Sequence, residues 1–372
     1  MSGRAKRWES TLPLMAALAA LGCAGNDADV RVGSVKSLGV MPTPMGIVGR
    51  DGGVSGRFQG RSVWVYGDSV TTDAGTYPNT WRNNTMSWTD DLDASDGIDP
   101  LEQPCDETGA PREFFPRTEE EEAFNAEHLD HGDGTCDATD GEPCGARIAI
   151  WGSGPVQDVE RGRALLTYGK VHAAPGEFNF SIVGTSLAVW TDFDQGPVRP
   201  LVDGTLEDPR LLFSPTEGEF AIPAAHDGFL YLFSCSGSGA AAHTCRLARA
   251  ELEHVLERSA WRFRGANVGD WVETADRAAP LFEGSPNMTV HFNEQVGRWL
   301  ALYISWGKIV LRTAPEPGGP WSDELEVFEP PEDNALHALA HPEFQEQRGK
   351  VEYVSYLAEN HFHLLRVELS RP

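Results

Sequence analysis

The stretch FQGRSVWVYGDSV, residues 58–70, decides the fold class of this chain. It alternates valines with Trp64 and Tyr66, so both faces of an extended segment carry apolar side chains. A strand with one solvent-exposed face would alternate apolar with polar residues instead. The sequence therefore predicts a short strand that is covered on both sides, begins after a glycine turn and ends near Gly67 and Asp68.

The same pattern occurs five times along the chain. Each copy has a short strand, a glycine turn and a second apolar strand, and the turn glycines are Gly60, Gly162, Gly228, Gly297 and Gly349. A third strand follows each pair, and a fourth can be assigned in places. Antiparallel units with two apolar faces bury both faces by stacking radially. The sequence therefore predicts an all-β fold, a five-bladed β-propeller of four-stranded antiparallel blades.

A propeller ring also has to close, and the segment VRVGSVKSLGVM at residues 30–41 is typical of a strand. Placed beside the last blade, this N-terminal strand would complete its sheet. Closure removes the exposed sheet edges through which open sheets aggregate. We therefore expect residues 30–372 to form a single propeller domain closed by an N-terminal strand.

The first residues are typical of an export signal. Basic residues precede an apolar run at residues 12–21, which is too short to cross a bilayer as a permanent helix. The run ends at Cys23 in a sequence that resembles the bacterial lipobox, in which the cysteine thiol receives a lipid. We expect residues 1–22 to be a signal peptide and residues 23–29 a short linker after the lipidated cysteine. The protein would then be a cell envelope lipoprotein, on the outer membrane or the periplasmic face. An ordinary cleavage site, which would give a secreted protein, is the alternative.

The chain has 372 residues and a formal net charge of −26 at pH 7. A surface this acidic repels phosphate backbones, so we expect no nucleic-acid partner. We expect a monomer that contacts the membrane only through its lipid anchor.

The cysteines suit an exported protein, because an oxidising compartment favours disulfides. Cys235 and Cys245 flank a glycine-rich segment between two strand-like runs, and we expect them to pair across a hairpin. Cys105, Cys136 and Cys144 are an odd set, so one of them stays free if the lipobox cysteine is lipidated. Their spacing lacks the CxxC pattern of zinc sites.

An acidic insert at residues 90–145 separates the first two copies of the repeat. Its segment DLDASDGIDPLE places Asp91, Asp93, Asp99 and Glu102 at positions of an EF-hand-like calcium loop. Position six lacks the glycine that the turn needs, and flanking helices are not predicted. Calcium binding and a solvated acidic loop are the two hypotheses, and we expect no required cofactor.

Several segments in combination resemble a known bacterial family. They are GRDGGVSGRFQGRSVWVYGDSV, NNTMSWTDDLDASDGID, PREFFPRTEEEEAFNAEH, ALLTYGKV, VGTSLAVW, IVLRTAPEPGGPWS and ALAHPEF. Together they are similar to the family catalogued as domain of unknown function 4185, over nearly the whole mature chain. The resemblance implies a five-bladed propeller related to glycosidase propellers, and some members are similar to endo-acting D-arabinanases.

Glycoside hydrolysis needs two carboxyl groups across the scissile bond, about 5–5.5 Å apart for retention or about 6.5–9.5 Å for inversion. Asp51, on the first inner strand beside two glycines, and Asp68, at the end of the neighbouring strand, are the leading candidates. We predict that they meet at one end of the hairpin as an acid–base pair. The long connection between them leaves opposite ends as the alternative, and a structural turn role is open for each.

Two further carboxyl groups are catalytic candidates because they lie on predicted inner strands. Asp158 is on that of the second blade and Glu343 is on that of the fifth. Asp158 could instead begin a turn. In the segment EDPRLLF, Glu207 and Asp208 are weaker candidates, for which a salt-bridged bend between blades is the alternative.

Six side chains are predicted to bind substrate. A polar and aromatic group suited to stacking on a sugar and bonding its hydroxyl groups comes from the first repeat, and two histidines recur at matching positions on the fourth and fifth inner strands. These residues are Arg50, Trp81, Asn83, Asn84, His291 and His341. Capping of blades is the structural alternative for the first group, and core packing for the histidines.

Two classes of function are consistent with this sequence. The first is an exported glycoside hydrolase that acts on an envelope or environmental polysaccharide, arabinan-like by the family resemblance. The second is a noncatalytic cell-surface propeller that binds a glycan or a protein. A close carboxyl pair in an aromatic-lined pocket favours the first class, and a channel without paired acids favours the second.

Overall fold

The computed structural model of the chain describes residues 30–72, 80–98, 101–236, 243–267 and 269–372. The predicted signal peptide, Cys23 and the rest of the linker lie outside these residues. Within them, the strands and the α-helix are β1 (Arg31–Val40), β2 (Ile47–Phe58), β3 (Arg61–Thr71), β4 (Trp81–Arg82), β5 (Thr85–Thr89), α1 (Glu119–Glu127), β6 (Arg147–Gly152), β7 (Val156–Asp158), β8 (Arg163–Ala173), β9 (Phe180–Trp190), β10 (Ile222–His226), β11 (Phe229–Ser236), β12 (His243–Glu251), β13 (Arg262–Arg264), β14 (Trp271–Val272), β15 (Glu283–Gly284), β16 (Met288–Asn293), β17 (Arg298–Ser305), β18 (Lys308–Ala314), β19 (Leu325–Phe328), β20 (Leu336–Ala340), β21 (Val351–Ala358) and β22 (His361–Ser370). Short 3-10 helices span Val159–Arg161, Phe193–Gln195, Leu252–His254, Arg258–Ala260, Ala275–Arg277 and Pro342–Phe344.

The strands of the described residues form five antiparallel sheets, which are the blades of a β-propeller. The first blade contains β2 to β5, the second β6 to β9, the third β10 to β15 and the fourth β16 to β19. The fifth contains β20, β21, β22 and β1. The prediction of a five-bladed propeller is confirmed.

The ring closes through the N-terminal strand, as predicted. Strand β1 pairs antiparallel with β22, from Arg31 opposite Ser370 to Val40 opposite His363. The first strand of the chain therefore completes the sheet made by the last three, and the edge of the fifth blade is covered.

The five predicted glycine turns connect the inner strand of each blade, which is split into β6 and β7 in the second blade, to the strand that follows it. Their glycines have φ between 61° and 96°, a left-handed conformation that costs glycine no Cβ strain. We call the end of the propeller that carries these turns the turn face. The opposite end, where the inner strands β2, β6, β10, β16 and β20 begin, is called the strand-start face.

The core consists of five clusters of buried side chains, one between each pair of neighbouring blades. Strand β3 shows how the sequence produces this. Val63 and Val65 pack against the second blade, whereas Trp64 and Tyr66 pack against the fifth. A strand with two apolar faces is therefore buried on both of them, as the sequence predicted.

The acidic insert is held on the second blade by a buried ion network. Its helix α1 carries Glu121, which accepts hydrogen bonds of 2.6 and 3.0 Å from Arg199. Lys170 lies 3.0 Å from Glu121 and 2.7 Å from Asp208. Burial alone would raise the pKa of Glu121, but the hydrogen bonds and charge of Arg199 lower it to about 2. Asp208 is thus part of a salt-bridged bend, the structural alternative considered for it.

Two disulfides occur among the described residues. Cys235 and Cys245 face each other on paired strands and are bonded, with a Cα separation of 3.9 Å, which confirms the predicted pair. Cys136 is bonded to Cys144, and Cys105 is free and exposed. In the described part of the chain, no helix is long and apolar enough to cross a membrane.

Candidate functional site

Asp51 lies on β2 near the strand-start face, where the pairing with β3 is irregular. The register shifts between Arg50 and Gly52 and again between Gly52 and Val54. Gly52 and Gly53 have φ of 87° and 93°, which side chains with a Cβ rarely adopt. Irregularities of this kind re-aim side chains near functional sites. Asp51 is exposed as a result.

Asp68 lies on β3 at the same end of this hairpin. The residue pairs on either side show this, because Arg50 is opposite Ser69 and Gly52 is opposite Tyr66. A Cβ placed on Gly67 would lie 3.9 Å from the Cβ of Asp51. The long connection between the two aspartates therefore does not place them at opposite ends of the hairpin. They lie at the same end, which the predicted pair requires.

The surroundings of Asp68 favour its protonated form. Burial raises the pKa of Asp68 to about 6. A hydrogen bond of 3.1 Å from the Trp151 indole and the charge of Arg147 oppose this effect, whereas the nearby charge of Asp51 reinforces it. Asp68 can therefore hold a proton at weakly acidic pH beside an exposed carboxyl group, the arrangement that acid–base chemistry uses.

His337 of the fifth blade is far from Asp51 in sequence but lies close to it in space. Burial lowers the pKa of His337, and the charge of Asp51 opposes the shift. Its backbone has φ of 49°, and its buried Nδ1 has no hydrogen-bond partner. Backbone strain of this kind concentrates at functional sites. The segment LHALAHPEF contains both His337 and His341, and the sequence alone gives no reason to prefer the first.

Glu219 is a further acid that sequence reasoning missed. It precedes β10, so it lies at the strand-start face on the third blade. Partial burial raises the pKa of Glu219, and His243 opposes the shift. The residue is thus a second group that can be protonated on the face that carries Asp51.

Two open cavities are lined by residues that act on the carboxyl pair. One, of about 590 Å³, is lined by Trp81 and Arg147, both of which lie close to Asp68. The other, of about 550 Å³, is lined by His337, which feels the charge of Asp51, and by the exposed Trp306. Neighbours of both aspartates therefore line spaces large enough for sugar residues.

Of the predicted substrate-binding residues, Trp81 is the one beside the pair. Its indole favours the ionised form of Asp68, as the indole of Trp151 does. Asn83 lines the same cavity, but its amide donates to Glu113 and accepts from Arg147, each at 2.9 Å.

Asn84 and Arg50 have structural partners. Asn84 is buried and binds three backbone groups, donating to Ile150 and accepting from the two residues that follow Glu113. Arg50 is buried over the ring of Tyr66, 4.2 Å from its centre, and donates to two further side chains. Their predicted substrate-binding roles stay predictions, which these contacts do not favour.

Asp158 lies at the turn face, away from the pair. It is buried and accepts hydrogen bonds of 3.1 Å from Arg161 and 2.8 Å from Arg163. Along β8, Arg163 pairs with Asp158, whereas Gly169 pairs with Trp151. Six residues of strand separate these two positions by about 20 Å. The geometry therefore gives Asp158 a structural role at a turn.

Glu343 is also near the turn face. Ser62 donates a hydrogen bond of 2.7 Å to its Oε1, and Ser62 precedes Asp68 by six residues on β3, about 20 Å along a strand. Burial raises the pKa of Glu343, and its Oε2 is buried without a partner. The structure therefore does not bring Glu343 to Asp51.

The two predicted histidines are held by protein groups. His341 is fully buried between the hydroxyl groups of Ser55 and Ser355, at 2.6 and 2.8 Å, and burial lowers its pKa to about 3. The Nε2 of His291 lies 3.1 Å from Glu352. His291 lines a channel cavity of about 630 Å³ together with Glu343, whereas His341 lines none of the cavities described. Their predicted contact with substrate remains a prediction.

The acidic loop of the insert is closed by its own turns. Backbone N–H groups within the loop donate to Asp91 and Asp93, and the backbone of Glu102 pairs with that of Trp88. Asp99 lies outside the described residues. Among the residues that are described, no group of His, Cys, Asp or Glu could hold a metal ion. Calcium binding therefore stays a prediction.

Comparison with known protein families finds a match over part of the chain. A family model described as Domain of unknown function (DUF4185) matches residues 188–357. This match confirms the family resemblance predicted from the sequence. No curated protein matches the chain.

Several solved structures are similar in fold to this chain. A presumed hydrolase from Bacteroides ovatus has 15% sequence identity and a TM-score of 0.52, with 87% of each chain covered. The catalytic domain of a GH62 alpha-L-arabinofuranosidase from Coprinopsis cinerea has 12% identity and a TM-score of 0.47, with 90% of this chain and 96% of that chain covered. An arabinanase from Bacillus subtilis has 10% identity and a TM-score of 0.42, with 89% and 97% covered. At these identities the likeness concerns the fold alone.

Proposed function

We propose that this chain is a glycoside hydrolase in which Asp51 and Asp68 are the two catalytic carboxyl groups. One observation carries the proposal. Both groups lie at one end of a single hairpin, one exposed and the other with a pKa raised to about 6 by burial. Retaining and inverting glycosidases both need such a pair, in which one group is protonated and the other ionised.

The roles follow from the surroundings of each group. Asp68 is the acid and gives its proton to the glycosidic oxygen as the bond from that oxygen to the anomeric carbon breaks. Asp51 is the exposed carboxylate that either attacks the anomeric carbon or removes a proton from the attacking water. Trp151 orients Asp68 through its indole N–H. Glu219 is the alternative acid, because burial raises its pKa on the same face.

The proposed substrate is an envelope or environmental polysaccharide. Arabinan is the first one to test, because the family that the sequence resembles includes members similar to endo-acting D-arabinanases. The aromatic side chains next to the carboxyl pair support a carbohydrate ligand, since sugar sites combine apolar faces with a few polar groups.

The test is a screen of the purified mature protein against arabinans and other wall polysaccharides, measured by release of reducing ends. We expect hydrolysis of at least one substrate by the unchanged protein. Asp51→Asn and Asp68→Asn should each abolish it, and Glu219→Gln tests the alternative acid. Glu294→Gln, a change to an exposed acid that pairs with Arg348 at the turn face, is the matched control.

Two outcomes would contradict the proposal. One is full activity in both aspartate variants. The other is binding of a polysaccharide without any hydrolysis, which would favour the noncatalytic surface propeller that binds glycan or protein.

We also propose that the protein is exported and anchored at the cell envelope through Cys23. The support is the lipobox-like sequence that follows the apolar run at residues 12–21. Metabolic labelling with radioactive palmitate should mark the unchanged protein but not Cys23→Ser, which should leave the membrane fraction. Equal labelling of both proteins would rule out this anchor.

A further inference from the structure

Stability does not explain the position of Trp306 in the fold. It lies at the tip of the two-residue turn between β17 and β18, where Ser305 pairs with Lys308. Its side chain is 80% exposed, and its backbone has φ of 51°. Because the side chain is exposed, it contributes little burial free energy to the fold. The left-handed backbone conformation costs free energy in addition.

Other hairpins of the same propeller provide the comparison. The turns Gln59-Gly60, Asp227-Gly228 and Glu359-Asn360 also connect paired strands through two residues with positive φ. In each of them the first residue is polar, as such turns favour. The corresponding position at residues 306–307 is occupied by tryptophan. Turn chemistry therefore does not account for Trp306, and a role at the surface is required.

The indole of Trp306 lines two cavities at the strand-start face. The cavity of about 550 Å³ lies between the fourth and fifth blades and reaches His337, which feels the charge of Asp51. A second cavity, of about 310 Å³, lies on the third and fourth blades and includes His243. The buried Nδ1 of His337 has no partner in the described structure. A ligand in the larger cavity would thus contact an aromatic face and lie close to the carboxyl pair.

The charges around the larger cavity limit what it can bind. Its lining includes Glu329, Glu332 and Asp333. Glu332 accepts a hydrogen bond from Tyr356, and Glu329 lies 3.4 Å from Lys308, whereas Asp333 is exposed. With Asp51 nearby, the field in this space is negative and repels anionic ligands.

We propose that this cavity is a subsite that binds one uncharged sugar residue of a polysaccharide, stacked on the indole of Trp306. Its link to catalysis rests on the proposed function, because the same glycan would extend from the subsite past His337 to Asp51. The acidic wall excludes polysaccharides built from uronic acids, so the substrate class is a neutral glycan.

The experiment measures binding, separately from hydrolysis, by titration calorimetry on the mature protein. The probes are neutral arabino-oligosaccharides and xylo-oligosaccharides, with oligogalacturonate as the anionic comparison. Trp306→Asn restores the residue type that the turn favours, so the variant should be at least as thermally stable as the unchanged protein. It should nevertheless bind a neutral probe about tenfold more weakly, as expected for the loss of an aromatic anchor.

One control variant and one variant of the acidic wall complete the test. Val159→Ala changes an exposed apolar side chain at the turn face and should leave binding unchanged. Asp333→Asn should reduce the preference for neutral probes over oligogalacturonate. Equal affinity of Trp306→Asn and the unchanged protein, preferred binding of oligogalacturonate, or no binding of any neutral probe would overturn the subsite. Binding that depends on Trp306 in a protein without hydrolysis would leave the subsite intact and reject only the catalytic function.

Discussion

The two ends of the propeller both carry acidic groups whose pKa is raised by burial, but the groups around these acids differ. At the strand-start face, Asp68 is half-buried beside the exposed Asp51, whose charge reinforces the raised pKa. Near the turn face, Glu343 is half-buried on a channel cavity of about 630 Å³, with one oxygen bonded to Ser62 and the other buried without a partner. A raised pKa is therefore common to both ends, whereas the charge of a neighbouring carboxylate contributes to it at the strand-start face.

The turn face shows that a buried acid can also have a structural role. Glu352 is buried and its Oε1 accepts hydrogen bonds from Asn293 and Gln345 and lies 3.1 Å from His291. These contacts tie the fourth blade to the fifth. A buried acid at this end thus holds blades together, and a raised pKa becomes evidence for catalysis when geometry also supplies a partner group.

The largest expected effect separates the two ends by activity. Asp68→Asn removes the proton donor and should lower the rate of glycan hydrolysis by about a hundredfold or more. Glu343→Gln keeps the shape and the hydrogen bonding of a buried protonated acid, so its rate should stay within a few-fold of the unchanged protein. Initial rates on the polysaccharide identified by the screen provide the measurement. A comparable loss in Glu343→Gln would place part of the chemistry at the turn face.

A smaller effect separates the same ends by stability. Glu352→Ala leaves the donors of Asn293 and Gln345 unpaired in the core and should lower the free energy of unfolding by about 2–4 kcal/mol. Asp51→Ala alters an exposed group and should change it by less than about 0.5 kcal/mol. Urea unfolding followed by tryptophan fluorescence measures both. A loss of unfolding free energy in Asp51→Ala as large as that in Glu352→Ala would contradict this comparison.

The smallest expected effect concerns pH. Because Asp68 acts as an acid and its pKa is about 6, hydrolysis should decline as pH rises through that value. Trp151→Phe removes a hydrogen bond that favours the ionised form, so the pKa of Asp68 should rise further and the decline should move to higher pH. Rates measured from pH 4 to 9 on both proteins test the direction. A decline that moves to lower pH would show that Trp151 does not act on Asp68.

The candidate site was partly accessible from the sequence. Asp51 and Asp68 could be selected because each stands at a glycine-rich strand end, where a side chain has room and a functional geometry is common. Trp151 and His337 could not, since a tryptophan in a strand and a histidine among alanines fit a blade core equally well. They are recognised by their neighbours in space. Trp151 bonds Asp68, which is 83 positions away along the chain, and His337 lies close to Asp51, which is 286 positions away.

The sequence by itself determined the propeller and its five repeats, because a strand with apolar residues on both faces must be covered on both faces. It also determined the closure by residues 30–41 and the pairing of Cys235 with Cys245. Only the tertiary structure decided which acids lie together. Asp51, Asp158 and Glu343 all belong to inner-strand segments, yet the position along the strand leaves Asp51 exposed near Asp68, whereas the other two accept hydrogen bonds from neighbouring side chains at the other end. Burial and charge compensation depend on neighbours brought from other blades, and no local pattern in the chain encodes them.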